Sequence, residues 1–184
     1  MTPWKIEENL ERIIYTKEDI QKRVRELAED ISNDYRDKDL VLVGILKGGV
    51  IFLSDLCRNI EIPHSYDMVG ASSYGASTVS SGYVRITKDV DLDLKDKDVL
   101  LIEDIYDTGN TLHVIRELLE VHSPNSINIC AFLYKDKNRP VPEMDIKYIG
   151  FHIPDVFVVG YGLDFNEKYR NLNCIGVLKK SVYS

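Results

Sequence analysis

Three carboxylates, Glu103, Asp104 and Asp107, fall within five residues, directly after the apolar run Val99-Leu100-Leu101-Ile102. Thr108, Gly109, Asn110 and Thr111 follow, and a helical pattern then runs from Thr111 to Val121. Backbone N–H groups at a helix start carry partial positive charge and suit a phosphate. Gly109 lets the backbone come close to a ligand, and the hydroxyls of Thr108 and Thr111 add donors. The acids would repel a phosphate at contact range, so they fit sugar hydroxyls or a hydrated magnesium ion instead. Residue type alone leaves a plainer reading open, because acids beside a helix start are also ordinary capping chemistry.

Other candidates are weaker by themselves. Lys47-Gly48-Gly49 interrupts an apolar run, as many glycine turns before helices do. Lys135 follows Cys130–Tyr134 and reads alone as a solvated loop lysine. Phe157 and Val158 sit in a strand-like run and read on periodicity as core. Asp164 and Arg170 read as a surface ion pair. No Walker GxxxxGK[ST], HExxH or GxSxG occurs, and the GxG at Gly160–Gly162 has Phe165 where its last glycine belongs.

The elements that must position these residues follow from hydrophobic spacing. Thr16 with Asp19 three residues on marks a helix start, and Ile20, Val24, Leu27, Ile31 and Tyr35 fall on one helical face. Leu40–Leu46 is a near-continuous apolar run, as in a strand buried on both faces of a parallel sheet. Val50–Ile60 and Thr111–Val121 read as helices. Tyr66–Ala71, Val99–Ile102, Ile127–Tyr134 and Val156–Tyr161 read as strands. This alternation predicts an α/β fold with a doubly wound sheet, whose ligands bind at the carboxyl ends of the strands. Ile146–Phe151 and Ile175–Val182 are candidates for a small separate lobe. Ser72–Gly82 holds five serines, two glycines and no charge, and reads as a flexible lid-length loop. Lys88–Asp98, with five aspartates, reads as a solvated connection.

The chain has 184 residues, which suits a single domain. Its 23 lysines and arginines against 30 acids leave a formal charge of −7, which argues against a nucleic-acid partner. The three scattered cysteines, the absence of a signal-peptide pattern and the lack of a spanning apolar run predict a cytoplasmic protein with no membrane partner.

Taken together, the motifs are more specific than their compositions. VLLIEDIYDTGNTL resembles the phosphoribosyl-diphosphate (PRPP) signature of type I phosphoribosyltransferases. Leu46–Gly49 is similar to the pyrophosphate loop of the hypoxanthine-guanine members, and Ser73-Tyr74 to their lid pair. Lys135 falls where their purine-binding lysine sits, and Gly150–Leu172 resembles their base-binding segment. The motifs keep this order from Leu42 to Leu172.

The resemblance implies a mostly parallel twisted sheet flanked by helices, with a core at about 36–160 and a small base-binding hood made from the two chain ends. It implies a purine salvage enzyme that converts hypoxanthine or guanine plus PRPP to IMP or GMP and pyrophosphate, with Mg2+ as cofactor, working as a homodimer or homotetramer. Asp107 is then the general acid–base. Glu103 and Asp104 serve the ribose diol and, through ribose or water, the metal. Thr108, Gly109, Asn110 and Thr111 cradle the 5′-phosphate, Asn110 through its backbone, because its position is often basic in the family. Lys47, Gly48 and Arg170 take pyrophosphate, and the Lys47–Gly48 bond is a candidate cis peptide. Lys135 donates to the purine O6, Phe157 stacks on the base, the Val158 backbone reads its edge, and Asp164 serves a second magnesium through water. Two alternatives remain open: a PRPP- or nucleotide-sensing regulator of the same fold, and a transferase preferring xanthine, which carries the same 6-oxo group.

Overall fold

The structure, a computed structural model, describes residues 6–73, 84–136 and 144–183. In chain order the strands and helices are β1 (Leu10–Tyr15), α1 (Lys17–Asp34), β2 (Leu40–Leu46), α2 (Gly49–Asn59), β3 (His64–Ser73), β4 (Val84–Lys88), β5 (Asp98–Tyr106), α3 (Asn110–Glu120), β6 (Ser126–Asp136), β7 (Tyr148–Pro154), β8 (Val158–Val159), β9 (Ile175–Leu178) and α4 (Lys180–Tyr183).

Among the described residues, six strands form one sheet in the order β4-β3-β2-β5-β6-β7. All its neighbours run parallel except the edge pair β3–β4. The apolar runs of β2 and β5 have a direct cause. Leu40, Leu42, Leu100 and Ile102 face one layer with α1 and α2, while Val41, Val43, Val99 and Leu101 face the other with α3. Both faces are covered, so neither set of alternate positions is polar. Thr16 caps α1 with the reciprocal bonds of a capping box: its hydroxyl accepts from the Asp19 N–H, and the Asp19 carboxylate accepts from the Thr16 N–H.

A second, three-stranded antiparallel sheet, β1-β9-β8, joins the two ends of the chain, with Leu10, Val159, Leu172 and Leu178 in its own small core. It contains β9 but not Ile146–Phe151. The stretch 148–154 pairs in parallel with β6 and closes the large sheet, because Tyr148 and Ile153 bury themselves against α1 and β6. The strand expected over Val156–Tyr161 shrinks to Val158–Val159. Gly160 and Gly162, at φ 105° and 103°, turn the chain immediately afterwards. β5 is longer than its apolar run, continuing through the acids to Tyr106, which pairs with Tyr134. In the Lys88–Asp98 connection Leu94 is fully buried, so that segment is pinned to the core midway. Ser72 and Ser73 belong to β3; the rest of the expected lid, Tyr74 included, lies outside the described residues. Among the described residues no helix is long and apolar enough to cross a membrane.

Candidate active site

α1 begins with a full side-chain cap, but α2 and α3 do not. Gly48 precedes α2 and Gly109 precedes α3, and a glycine at the cap position has no side chain to make the capping bond. The leading N–H groups of a helix have no intrahelical acceptor, so both starts present donors to whatever lies in front of them. In front of both lies one cleft of about 300 Å³, at the carboxyl ends of β2 and β5. Its lining includes Lys47, Gly48, Glu103, Asp104, Asp107, Thr108, Gly109, Thr111, Asp164 and Arg170. Residues more than 120 positions apart in sequence thus share one wall.

Glycine allows close packing at three points of this wall. A Cβ at Gly48 would overlap Asp104 Oδ2, and one at Gly162 would collide with the Gly48 carbonyl. Gly109 has a left-handed φ of 77° and rests on the Tyr106 ring. The cis peptide here is Leu46–Lys47, one bond before the expected Lys47–Gly48.

Glu103 and Asp104 lie within β5 and not after it, because the ladder to β6 continues past the apolar run. Glu103 is buried, and its Oε2 has no hydrogen-bond partner among the described residues. Burial, with the neighbouring Asp104 charge, holds the Glu103 carboxyl well above the usual carboxylate range. Such a group calls for a compensating cation or hydroxyl donor. Across the cleft, Arg170 donates to the Gly162 carbonyl at 2.7 Å and pairs with Asp164 at 2.8 Å, while its Nε is buried without a partner among the described residues.

Lys135 and Asp107 meet at 3.3 Å, and Lys135 also reaches Asp155 at 3.4 Å. The lysine side chain is only 11% exposed, so it is no solvated loop lysine. Asp155 carried no sequence signal beyond its place two residues before Phe157. Lys135, Asn110, Phe157 and Val158 are not part of the cleft lining. The Phe157 ring is half-exposed, stacked on Tyr183 at 5.0 Å and edge-on to Phe165 at 5.9 Å. Val158 is buried, and its backbone pairs with Val177. Ile105 and Tyr106 also line the cleft, although as apolar neighbours of the acids they gave no chemical signal. Tyr161 was equally silent. Its hydroxyl donates to Asp55 of α2 at 2.8 Å, tying the 160–170 segment to the helix that follows Gly48. Among the described residues no three His, Cys, Asp or Glu side chains converge as a metal cage.

Comparison with known proteins agrees with this architecture. A family model described as "Phosphoribosyl transferase domain" matches residues 12–166. A hypoxanthine-guanine phosphoribosyltransferase from Dictyostelium discoideum is 49% identical over 175 residues, covering 93% of this chain and 97% of that protein. One from Mycobacterium avium is 45% identical over 181 residues, covering 95% and 89%. The crystal structure of a hypoxanthine phosphoribosyltransferase from Staphylococcus aureus superposes with a TM-score of 0.92 at 46% identity, covering 100% of both chains.

Proposed function

The chain belongs to the phosphoribosyltransferase family, and we propose that its cleft transfers the 5-phosphoribosyl group of PRPP to hypoxanthine, guanine or both. The products are IMP or GMP and pyrophosphate, which makes the protein a purine salvage enzyme. The observation that carries this reading is the convergence of two glycine-led helix starts on one cleft that also holds the buried Glu103 and the half-buried Asp104. Phosphates at the two ends and a sugar between them match that distribution of donors and acceptors.

In the reaction the bond from C1′ to the pyrophosphate oxygen breaks, N9 of the base bonds to C1′, and the base gives up one proton. The N–H groups and hydroxyls of 108–111 hold the 5′-phosphate at the start of α3. Glu103 and Asp104 hydrogen-bond the ribose hydroxyls, and the Asp104 charge favours the cationic sugar of an oxocarbenium-like transition state. Lys47, the Gly48 backbone and Arg170 take the leaving pyrophosphate. Asp107 receives the proton from N7 of the base, and Lys135 donates to O6. The Lys135–Asp107 contact sets the lysine beside the proton acceptor. Phe157 offers its half-exposed face to the base, and the small sheet β1-β9-β8 acts as the hood.

Mg2+ suits this donor set, since it keeps waters and substrate oxygens and needs only one or two protein carboxylates. Glu103 Oε2, without a hydrogen-bond partner among the described residues, and Asp104 are such a set, and Asp164 lines the same cleft. When bound, the ion neutralises and orients the pyrophosphate. A cytoplasmic location is supported by three scattered cysteines, of which Cys130 and Cys174 are buried. A homodimer or homotetramer completes the reading, to be measured by light scattering.

The test is pyrophosphate release from PRPP and Mg2+ with hypoxanthine, guanine, xanthine, adenine and a pyrimidine base. Release with hypoxanthine or guanine and little with adenine is expected, because an ammonium donor suits a 6-oxo acceptor and not a 6-amino group. No release with any 6-oxopurine rejects the proposal. Release with xanthine alone moves the specificity to that base.

A further inference from the structure

Glu167 lies in the turn between Asp164 and Arg170, and no role has yet fallen to it. Its Oε1 accepts from Lys47 Nζ at 3.1 Å and its Oε2 from Arg170 Nη2 at 3.3 Å. Each oxygen of one carboxylate therefore engages a different cation, as two oxygens of a bridging phosphate would. The Glu167 N–H donates to Asp164 Oδ2 at 2.9 Å, and Asp164 Oδ1 shares the same Arg170 Nη2 at 2.8 Å.

The backbone delivers Glu167 to this place. Phe165 and Lys168 exchange backbone hydrogen bonds at 3.2 and 3.1 Å, which closes a tight turn. Asn166 and Glu167, at its tip, have left-handed φ values of 51° and 59°. A side-chain-bearing residue other than asparagine or aspartate is uncommon there. The turn is also locked against the loop that carries Lys47, since the Gly162 Cα approaches the Gly48 carbonyl too closely for any Cβ. Lys47 and Glu167 are both about two-thirds exposed, at 66% and 64%. Salt screens such a contact, and an incoming ligand can exchange with it.

We propose that Glu167 is a placeholder anion: its carboxylate spans Lys47 and Arg170 where a phosphate of the pyrophosphate group binds, and competes with pyrophosphate for those two cations. The inference rests on the assignment of Lys47 and Arg170 to pyrophosphate made above. Before the ligand arrives, Glu167 keeps two mutually repelling cations turned toward the cleft. After transfer, it re-forms its two contacts as pyrophosphate leaves, so the product is held less tightly than the cations alone would hold it.

Calorimetric titration of the intact protein with magnesium pyrophosphate tests this, using wild type, Glu167→Gln and the exposed control Glu117→Gln on α3. Exposed ion pairs are individually weak, so removing two contacts should tighten pyrophosphate binding by about three- to ten-fold in Glu167→Gln. The gain should shrink in 0.5 M NaCl (about a 4 Å screening length), and the KM for PRPP should fall in parallel. A variant that merely disturbed the fold would bind more weakly. Unchanged or weaker pyrophosphate binding in Glu167→Gln overturns the placeholder. An equal gain in Glu117→Gln also overturns it, by assigning the effect to net charge. If wild type binds no pyrophosphate at all, the assignment of Lys47 and Arg170 fails and the placeholder falls with it.

Discussion

Asp107 and Lys135 are 3.3 Å apart, so one ion pair joins the residue proposed to move a proton to the residue proposed to read the base. The two roles separate in kinetics. Asp107→Asn keeps the shape and a hydrogen-bonding oxygen but cannot take a proton. We expect kcat to fall by about 10²–10⁴-fold, with a smaller change in the KM for PRPP. Steady-state rates on purified protein check this, and a near-normal kcat removes Asp107 from the chemistry. Lys135→Ala removes a charge-assisted donor and leaves Asp107 and Asp155 without their shared cation. Hypoxanthine binding should weaken by about ten-fold or more, and the preference over adenine should narrow. Base affinity and selectivity that are both unaltered exclude the role. At this scale the sequence was readable where a motif is contiguous, as from Glu103 to Thr111. Asp155, Tyr161 and Glu167 gave no signal, because their meaning lies in partners 20 to 120 positions away.

The elements were legible where burial is one-sided or complete. β2 was read with its observed bounds and α1 with its cap, because a two-faced strand and an amphipathic helix each leave an unambiguous spacing. β1 and β4 were not foreseen. LERIIY exposes three of its first four residues, and VRITK is an edge strand of five residues beside an antiparallel neighbour. The acidic connection after β4 also proved more structured than its composition suggested, and Asp67 is a reason. From β3 its carboxylate accepts the N–H groups of Asp91 at 2.6 Å, Leu92 at 2.9 Å and Met68 at 2.7 Å, with Lys88 at 3.5 Å. Burial pushes the Asp67 carboxyl upward, but these donors and Lys88 outweigh it and hold the group below its ordinary 3.8. A carboxyl lowered on folding contributes stability above its unfolded pKa and loses it as pH falls through the folded value. Asp67→Asn should therefore be less stable than wild type by about 1–3 kcal/mol near neutral pH. The difference should shrink as pH drops below 3.8. Urea unfolding at pH 7 and at about pH 3 reads it. An equal gap at both pH values means that the ionised form is not what matters.

At the scale of the molecule, PRPP would bridge four elements around the cleft: the end of β2, the end of β5, the start of α3 and the Asp164–Arg170 turn. A ligand that binds only the folded state raises its stability by RT ln(1 + [L]/Kd), about 2.7 kcal/mol at one hundred times Kd. Thermal unfolding should shift upward with PRPP and Mg2+ together, by less with PRPP alone, and not measurably with duplex DNA. A shift with DNA as large as with PRPP would favour the regulator reading over the enzyme.

The net charge of −7 has a clearer meaning in this light. It weighs against nucleic acid, while in the proposed reaction the acids of the cleft serve sugar, proton and metal, and the phosphates fall to backbone amides, hydroxyls, Lys47 and Arg170. The amino-acid sequence by itself determined the parallel α/β core, the strand–helix junction that bears Glu103 to Thr111, and the family. Those properties are local: spacing, apolar runs and contiguous motifs act within a few turns of chain. The tertiary structure alone decided that β7 closes the large sheet, that β1 pairs with β9 in the small one, and that the glycine-led starts of α2 and α3 open onto the same cleft. It also decided that Glu103 Oε2 is buried without a hydrogen-bond partner among the described residues and that Glu167 spans two cations. These are contacts between residues far apart in the chain, and sheet order and close glycine packing bring them together, neither of which leaves a periodic trace in the sequence.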